Sequence, residues 1–287
     1  VSGGHDSKPT GGPQSTGPGV QVLKHLFLIS FTFAVLYPVL WVVKMAFTPS
    51  QGFDASAIPI PTNPSWDNFR HVLFDLPFFV WLKNSIIVSA ATTAGGVFLA
   101  CTSAYALSRF RFAGRSTAML SFLVTQMFPG VLMMIPLYFI MEKLGLLDQL
   151  LGLILVYSTT AIPFCVWMLK GYFDTIPKEL EEAALMDGAS PALVFWKIML
   201  PLSLPAVAVT ALFSFMTAWN EFILAAVFMN EDHYTLPVGL KTMVGQFSSE
   251  WGYFAAGAIL VSLPVVALFF ALQKNLVGGL TAGGVKG

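Results

Sequence analysis

Charge is scarce in this chain. Asp, Glu, Lys and Arg make up 10% of its 287 residues, where a soluble domain carries about a quarter. The 15 basic and 15 acidic residues cancel, so net charge makes no case for nucleic-acid binding. Cysteine is nearly absent. Cys101 and Cys165 both lie inside apolar runs, which excludes a disulfide framework and reads as core packing. Four histidines (His5, His25, His71 and His233) are scattered and none pairs at ligand spacing, so neither a metal site nor a His-based catalytic centre has support. There is no GxxxxGK[ST], no HExxH and no GxSxG. ATP binding through a P-loop and the common hydrolase chemistries are therefore not expected of this chain, and it offers no catalytic, cofactor or metal residue.

What is abundant is apolar surface. Hydrophobic residues reach 56%, Phe alone numbers 26, and mean hydropathy is +0.73. Six runs are long enough to cross a bilayer as helices, which takes about 20 residues: roughly 26–47, 84–107, 117–140, 151–170, 203–229 and 253–273. None has the alternation of a membrane barrel. Prolines inside the runs (Pro38, Pro129, Pro136, Pro163, Pro205 and Pro264) are tolerated in membrane helices, where neighbours satisfy the freed carbonyls. The expected fold class is all-α, a polytopic membrane protein of six spans over 21–275, in contact with membrane lipid. Residues 1–20 are rich in Gly, Pro, Ser and Thr and read as a disordered tail. The apolar run that follows exceeds a signal peptide's core, and no cleavage site follows it.

Lys and Arg placement sets the orientation. With the N-terminus inside, ten cations fall on the cytoplasmic side (Lys8, Lys24, Arg109, Arg111, Arg115, Lys170, Lys178, Lys197, Lys274, Lys286) and five outside (Lys44, Arg70, Lys83, Lys143, Lys241). Both termini are then cytoplasmic. Two sizeable loops face out. Residues 48–83 hold a Pro-rich stretch and a short interfacial helix in WDNFRHVLFD; residues 230–252 mix charges, aromatics and glycines. Each is either a plain connection or a landing surface for an extracytoplasmic partner.

Two segments carry candidate function. The first, a loop over 171–202, is polar yet flanked by apolar runs. Asp174 or Thr175 is positioned to cap a helix starting near Pro177, with Glu179, Glu181 and Glu182 at its positive end. Gly188 suits a left-handed stop, and Ser190 with Pro191 restarts helix. Two short angled helices follow, either docking a partner or lying on the membrane. Ala183 and Ala184 allow close approach, and Glu182 is placed to pair with a basic residue of that partner. The second is Glu221, the only acid well inside a run. An ionised carboxylate in hydrocarbon costs about 2.5 kcal/mol or more, so Glu221 faces either a polar path or another helix. Its neighbours Trp219 and Asn220 supply a ring face and hydrogen bonds suited to a sugar.

The loop's spacing is specific: Glu182-Ala183-Ala184, three residues including Asp187, Gly188, nine residues, Ile198, one residue, Leu200-Pro201. It resembles the EAA loop of ABC importer permeases. With CTSAYALSRFRFAGR (101–115), QMFPGVLMMIPLY (126–138), KGYFDTIPKELEEAALMDGAS (170–190), YTLPVGL (234–240) and the terminus LVGGLTAGGVKG (276–287), the chain is similar to carbohydrate ABC importer permeases of the six-span maltose/maltodextrin type. That resemblance implies a second, longer permease subunit, an ABC ATPase dimer that binds ATP and Mg, and an extracytoplasmic sugar-binding protein. It implies that Glu182, Ala183, Ala184, Asp187, Gly188, Ile198, Leu200 and Pro201 form the coupling element. It also implies that the cytoplasmic tail 276–287 reaches the ATPase through Gly283, Gly284 and Lys286. A shorter first outer loop and the Trp-Asn-Glu triplet depart from the maltose pattern and leave other sugars, polyols or glycerol phosphate open. A self-contained secondary transporter would need internal repeats that are not evident. An intramembrane enzyme would need a nucleophile and base that are not present.

Overall fold

The computed structural model describes residues 18–53, 56, 58–245 and 249–284, with side chains as far as 273. Among these residues the only regular elements are helices, joined by loops, with one isolated bridge between Val244 and Ser249 in place of any strand. Four helices are long and apolar enough to cross a membrane: α1 (Pro18–Phe47), α3 (Phe78–Arg109), α6 (Leu150–Phe173) and α13 (Trp251–Gly284). The short α2 (Asp67–Phe74) lies between the first two, where an interfacial helix is expected.

The remaining two runs are broken rather than straight. The run expected over 117–140 is α4 (Arg115–Met127) and α5 (Gly130–Lys143), bent by 103°. The break falls at Phe128-Pro129, where proline has no N–H to continue the ladder and its ring clashes with the preceding turn. The run expected over 203–229 is α10 (Leu204–Trp219) and the short α11 (Ile223–Phe228). Asn220 ends the first of these, its side chain folding back onto Met216 O at 2.8 Å. Six spans result when Arg115–Met127 with Gly130–Lys143 counts as one and Pro191–Leu202 with Leu204–Trp219 as another.

Between α6 and α10 lie α7 (Glu179–Met186), α8 (Pro191–Val194), a π turn (Phe195–Met199) and α9 (Leu200–Leu202). The α8–α9 rod meets α10 at 76°. On the opposite end, α12 (Leu236–Lys241) packs on α3.

Three clusters hold these helices together. One sits at the loop end: Cys101, Tyr105, Cys165, Leu169, Phe173, Val194, Phe195 and Met199. Both cysteines are free and buried there, in the packing role their apolar runs suggest. A second lies at the far end around Trp81, Trp219, Leu236 and Leu240, and a third joins α6 to α11 around Tyr157 and Phe228. Asn68 ties the far end together. Its amide donates to Ala46 O at 2.9 Å and Thr48 O at 2.8 Å and accepts from Gln51 at 2.7 Å.

Apolar side chains of α1, such as Leu23, Phe27 and Phe33, point outward, as lipid-facing residues do. Helix α4 buries no residue in its own chain and α5 buries only Met141. Helix α13 extends beyond the expected end of the sixth run at 273 and past the expected start of a tail at 276, its backbone helical to Gly284. Each glycine in a helix costs about 1 kcal/mol, and Leu276, Leu280 and Ala282 favour continuation across the Gly278-Gly279 pair. Residues 1–17 and Lys286 lie outside the described residues.

Candidate functional site

The α7–α9 element is fixed to the bundle from below by one arginine. Arg109 is the last residue of α3, and its Nε forms a buried ion pair with Glu181 of α7. Its other guanidinium nitrogens donate to Ile176 O at 2.9 Å and Ser108 Oγ at 3.1 Å. The second Glu181 oxygen accepts from the Tyr105 hydroxyl at 3.1 Å. The acid buried in α7 is thus Glu181, which sequence spacing did not single out, while Glu182 is exposed.

A second tie sits beside it. Asp174 accepts from Ser108 Oγ at 2.6 Å and pairs with Lys170. Desolvation pulls its carboxyl upward, but the hydrogen bonds from Lys170 and Ser108 outweigh this, and its pKa falls below the ordinary carboxylate value. This replaces the expected cap. Asp174 points to α3, and Thr175 Oγ1 donates to Tyr172 O at 2.7 Å. Helix α7 starts only at Glu179, with no side chain capping it. Glu179, Glu181 and Glu182 do occupy its first turn, the favourable end for acids.

The turn that follows forms as its residues suggest. Gly188 has φ +86°, a left-handed value that side chains resist. Ser190 Oγ accepts from Leu193 N at 3.3 Å with Pro191 in the first turn of α8. Ala184 packs on the loop-end cluster with Ile198 and Leu200. Ala183, Asp187, Gly188 and Pro201 face out. So does Met186, the last residue of α7, at 88% exposure. An unbranched apolar side chain this exposed, next to Leu185 at 45%, is a knob without a hole in its own chain. A cleft of about 170 Å³ between α3 and α7, lined by Tyr105, Phe110, Lys178, Glu182, Leu185 and Pro191, opens alongside.

The in-membrane triplet is arranged differently from expectation. Glu221 lies in the break between α10 and α11, not inside a continuous helix. Its carboxylate accepts from Leu224 N at 3.0 Å, Ala225 N at 3.1 Å and the Tyr157 hydroxyl at 2.8 Å. It therefore caps α11 and ties it to α6. Trp219 is 1% exposed and stacked on Phe215, so its ring offers no open face. Asn220 is exposed. Of the tail residues, Gly283 and Gly284 end α13.

The family model described as "Binding-protein-dependent transport system inner membrane component" matches residues 94–281. This stretch begins in α3 and takes in the whole α7–α9 element. The chain belongs to this family. Its polytopic helices and this membership make it an inner-membrane transport component.

Relatives of this component extend over nearly the full chain. The galactooligosaccharides transport system permease protein GanQ of Bacillus subtilis (strain 168) is 38% identical over 271 residues, 93% of this chain and 95% of its own. The maltose/maltodextrin transport system permease protein MalG of Escherichia coli (strain K12) is 38% identical over 284 residues, covering 92% and 95%. Among solved structures, a bacterial ABC transporter involved in the import of the acidic polysaccharide alginate has a chain 25% identical, covering 91% of this chain and 99% of its own, with a TM-score of 0.78.

Proposed function

We infer that this chain is the smaller permease of an ATP-driven sugar importer. It forms half of a translocation path with a second, longer permease and couples to an ABC ATPase dimer that binds ATP and Mg. An extracytoplasmic binding protein delivers the sugar to the loops at the α2–α12 end. The α7–α9 element then lies in the cytoplasm with both termini, an orientation supported by the ten-to-five distribution of Lys and Arg.

The carrying observation is the exposed Leu185–Met186 knob on a short helix whose base is locked by the Arg109–Glu181 pair. A lever must be rigid at its root and apolar at its tip. The buried ion pair and the Tyr105 bond hold the root, and Met186, Ala183 and Glu182 are presented outward. A partner cleft that moves on ATP binding would thereby move α3 and α6, to which Arg109 and Asp174 are joined. Helix α5, which buries only Met141 in its own chain, supplies the face for the second permease.

The solute is an oligosaccharide. Equal identity to a galactooligosaccharide and a maltodextrin permease supports that class without separating its members. Exposed Asn220 and half-buried Glu221 at the α10–α11 break are the polar groups offered to the path, with Glu221 held from behind by the buried Tyr157. The test is reconstitution of the complex in proteoliposomes with its binding protein. ATP hydrolysis and uptake should rise with maltodextrins or galactooligosaccharides. Stimulation by neither, with stimulation by a polyol or glycerol phosphate, would move the chain to another solute class. Uptake driven by a proton gradient without ATP would make it a secondary transporter.

A further inference from the structure

We propose that the loop joining α3 to α4 holds the head group of an anionic phospholipid, with one acyl chain lying along α4. A cavity of about 550 Å³ opens there, lined by Arg111, Gly114, Arg115, Ser116, Trp167 and Lys170 among others. Three of its lining residues are cations and none is an acid; Lys170 is already paired with Asp174, so Arg111 and Arg115 carry the charge offered to a ligand. Arg111 is exposed, with no hydrogen-bond or ion-pair partner among the described residues. Arg115 is aimed by its Nε, which donates to Leu107 O at 2.8 Å. Its outer nitrogens remain for a ligand. The N-terminus of α4 opens into the same cavity without a side-chain cap, adding the field of a 13-residue helix.

An inorganic anion would need only that cavity. The surface continues instead into a second groove of about 450 Å³ that shares Ser116, Thr117, Met119 and Trp167 and adds Leu120 and Leu123. Leu120 and Leu123 are 59% and 43% exposed, and Trp167 is 39% exposed. Cations at one end, an amphipathic ring at the boundary and leucines beyond it follow the polarity profile of one membrane leaflet. The matching molecule has a phosphate at one end and a hydrocarbon chain at the other. One lining residue of the head-group cavity, Lys170, pairs with Asp174, which accepts from Ser108 beside the Arg109 root of the α7–α9 element. An occupied site would stiffen that root. The site requires a membrane-embedded chain and is independent of the solute carried.

The test is native mass spectrometry of the full chain released from neutral detergent, alone and with its partner permease. The probes are dioleoylphosphatidylglycerol, dioleoylphosphatidylcholine and inorganic phosphate. The expected result is one retained phosphatidylglycerol, preferred over phosphatidylcholine, and still retained in the complex. Arg111→Gln should lower retention about five- to tenfold, the scale of one cation at a membrane surface. Thr117→Phe, which fills the groove from an exposed helical position, should lower it without removing a charge. Equal retention of the two lipids, or an unchanged Arg111→Gln chain, would overturn the assignment. So would phosphate displacing the lipid while Thr117→Phe still binds phosphate, which would mark a soluble anion. Loss of the lipid on assembly, with Arg111→Gln blocking assembly, would give the surface to the second permease.

Discussion

Arg109 and Glu181 meet as a buried ion pair although 72 positions separate them in sequence. The pair joins the end of a membrane helix to the first turn of the short helix α7. Both side chains are less than a tenth exposed, so each is costly to leave alone. Arg109→Met or Glu181→Leu should each destabilise the protein by about 3–5 kcal/mol, because an uncompensated charge stays buried. The double variant should lose less than the sum of the two. Denaturant unfolding in micelles measures this, and strict additivity would deny the coupling.

Asp174 gives the same root a pH limit. Its pKa is lower in the folded chain than the ordinary value near 3.9. A group depressed on folding contributes stability above its unfolded pKa, and that contribution disappears as pH falls through the folded value. Thermal stability should therefore fall on acidification below about pH 4, and Asp174→Asn should flatten that part of the profile. An identical acid limb in the variant would remove Asp174 from the account.

At the far end, Gly239 of α12 lies against the Trp81 ring. A Cβ built there would come within 2.2 Å of the indole. Gly239→Ala should cost about 1–3 kcal/mol through overpacking. Trp81→Phe should recover part of this by shrinking the facing ring. Leu236 N donates to Ser85 Oγ at 2.8 Å and Asn84 to Tyr234 O at 3.1 Å, so the YTLPVGL segment has a docking reason in this chain. A wild-type melting temperature for Gly239→Ala would show that α12 is free to lift away.

For Glu221, the amide variant and the apolar variant should part. Glu221→Gln keeps one oxygen to accept from Ala225 N and the Tyr157 hydroxyl, gives up only the bond from Leu224 N, and should retain much of the transport. Glu221→Leu leaves two backbone donors and a hydroxyl unsatisfied, at about 1–3 kcal/mol each, and should lose it. Uptake is compared with and without an uncoupler at constant ATP. Equal loss in both variants, with collapse on uncoupling, would mark a proton site.

The regular parts of this architecture were legible in the residues. Uninterrupted apolar runs announced α1, α3, α6 and α13, and Gly188, Ser190 and Pro191 announced the turn between α7 and α8. Local chemistry decides those features. The break at Pro129 and the one after Asn220 were not read, because proline and asparagine are also found within intact membrane helices. The Arg109–Glu181 contact is set by how α3 and α7 meet in space, and no local spacing encodes it. Glu181 and Glu182 are adjacent and chemically identical, so only the packed structure separates the anchoring acid from the exposed one. The same holds for Trp219, whose ring looked available until Phe215 was found against it.

The most direct test of the central claim is thiol labelling of Met186→Cys. Cys101 and Cys165 are buried, so a polar maleimide should report on position 186 alone. In membranes holding only the permeases, labelling should be fast, as 88% exposure requires. With the ATPase present it should slow strongly, and Gly188→Val, which strains the left-handed turn, should restore it while abolishing uptake. Labelling at the same rate with and without an ATPase that supports uptake would contradict the account.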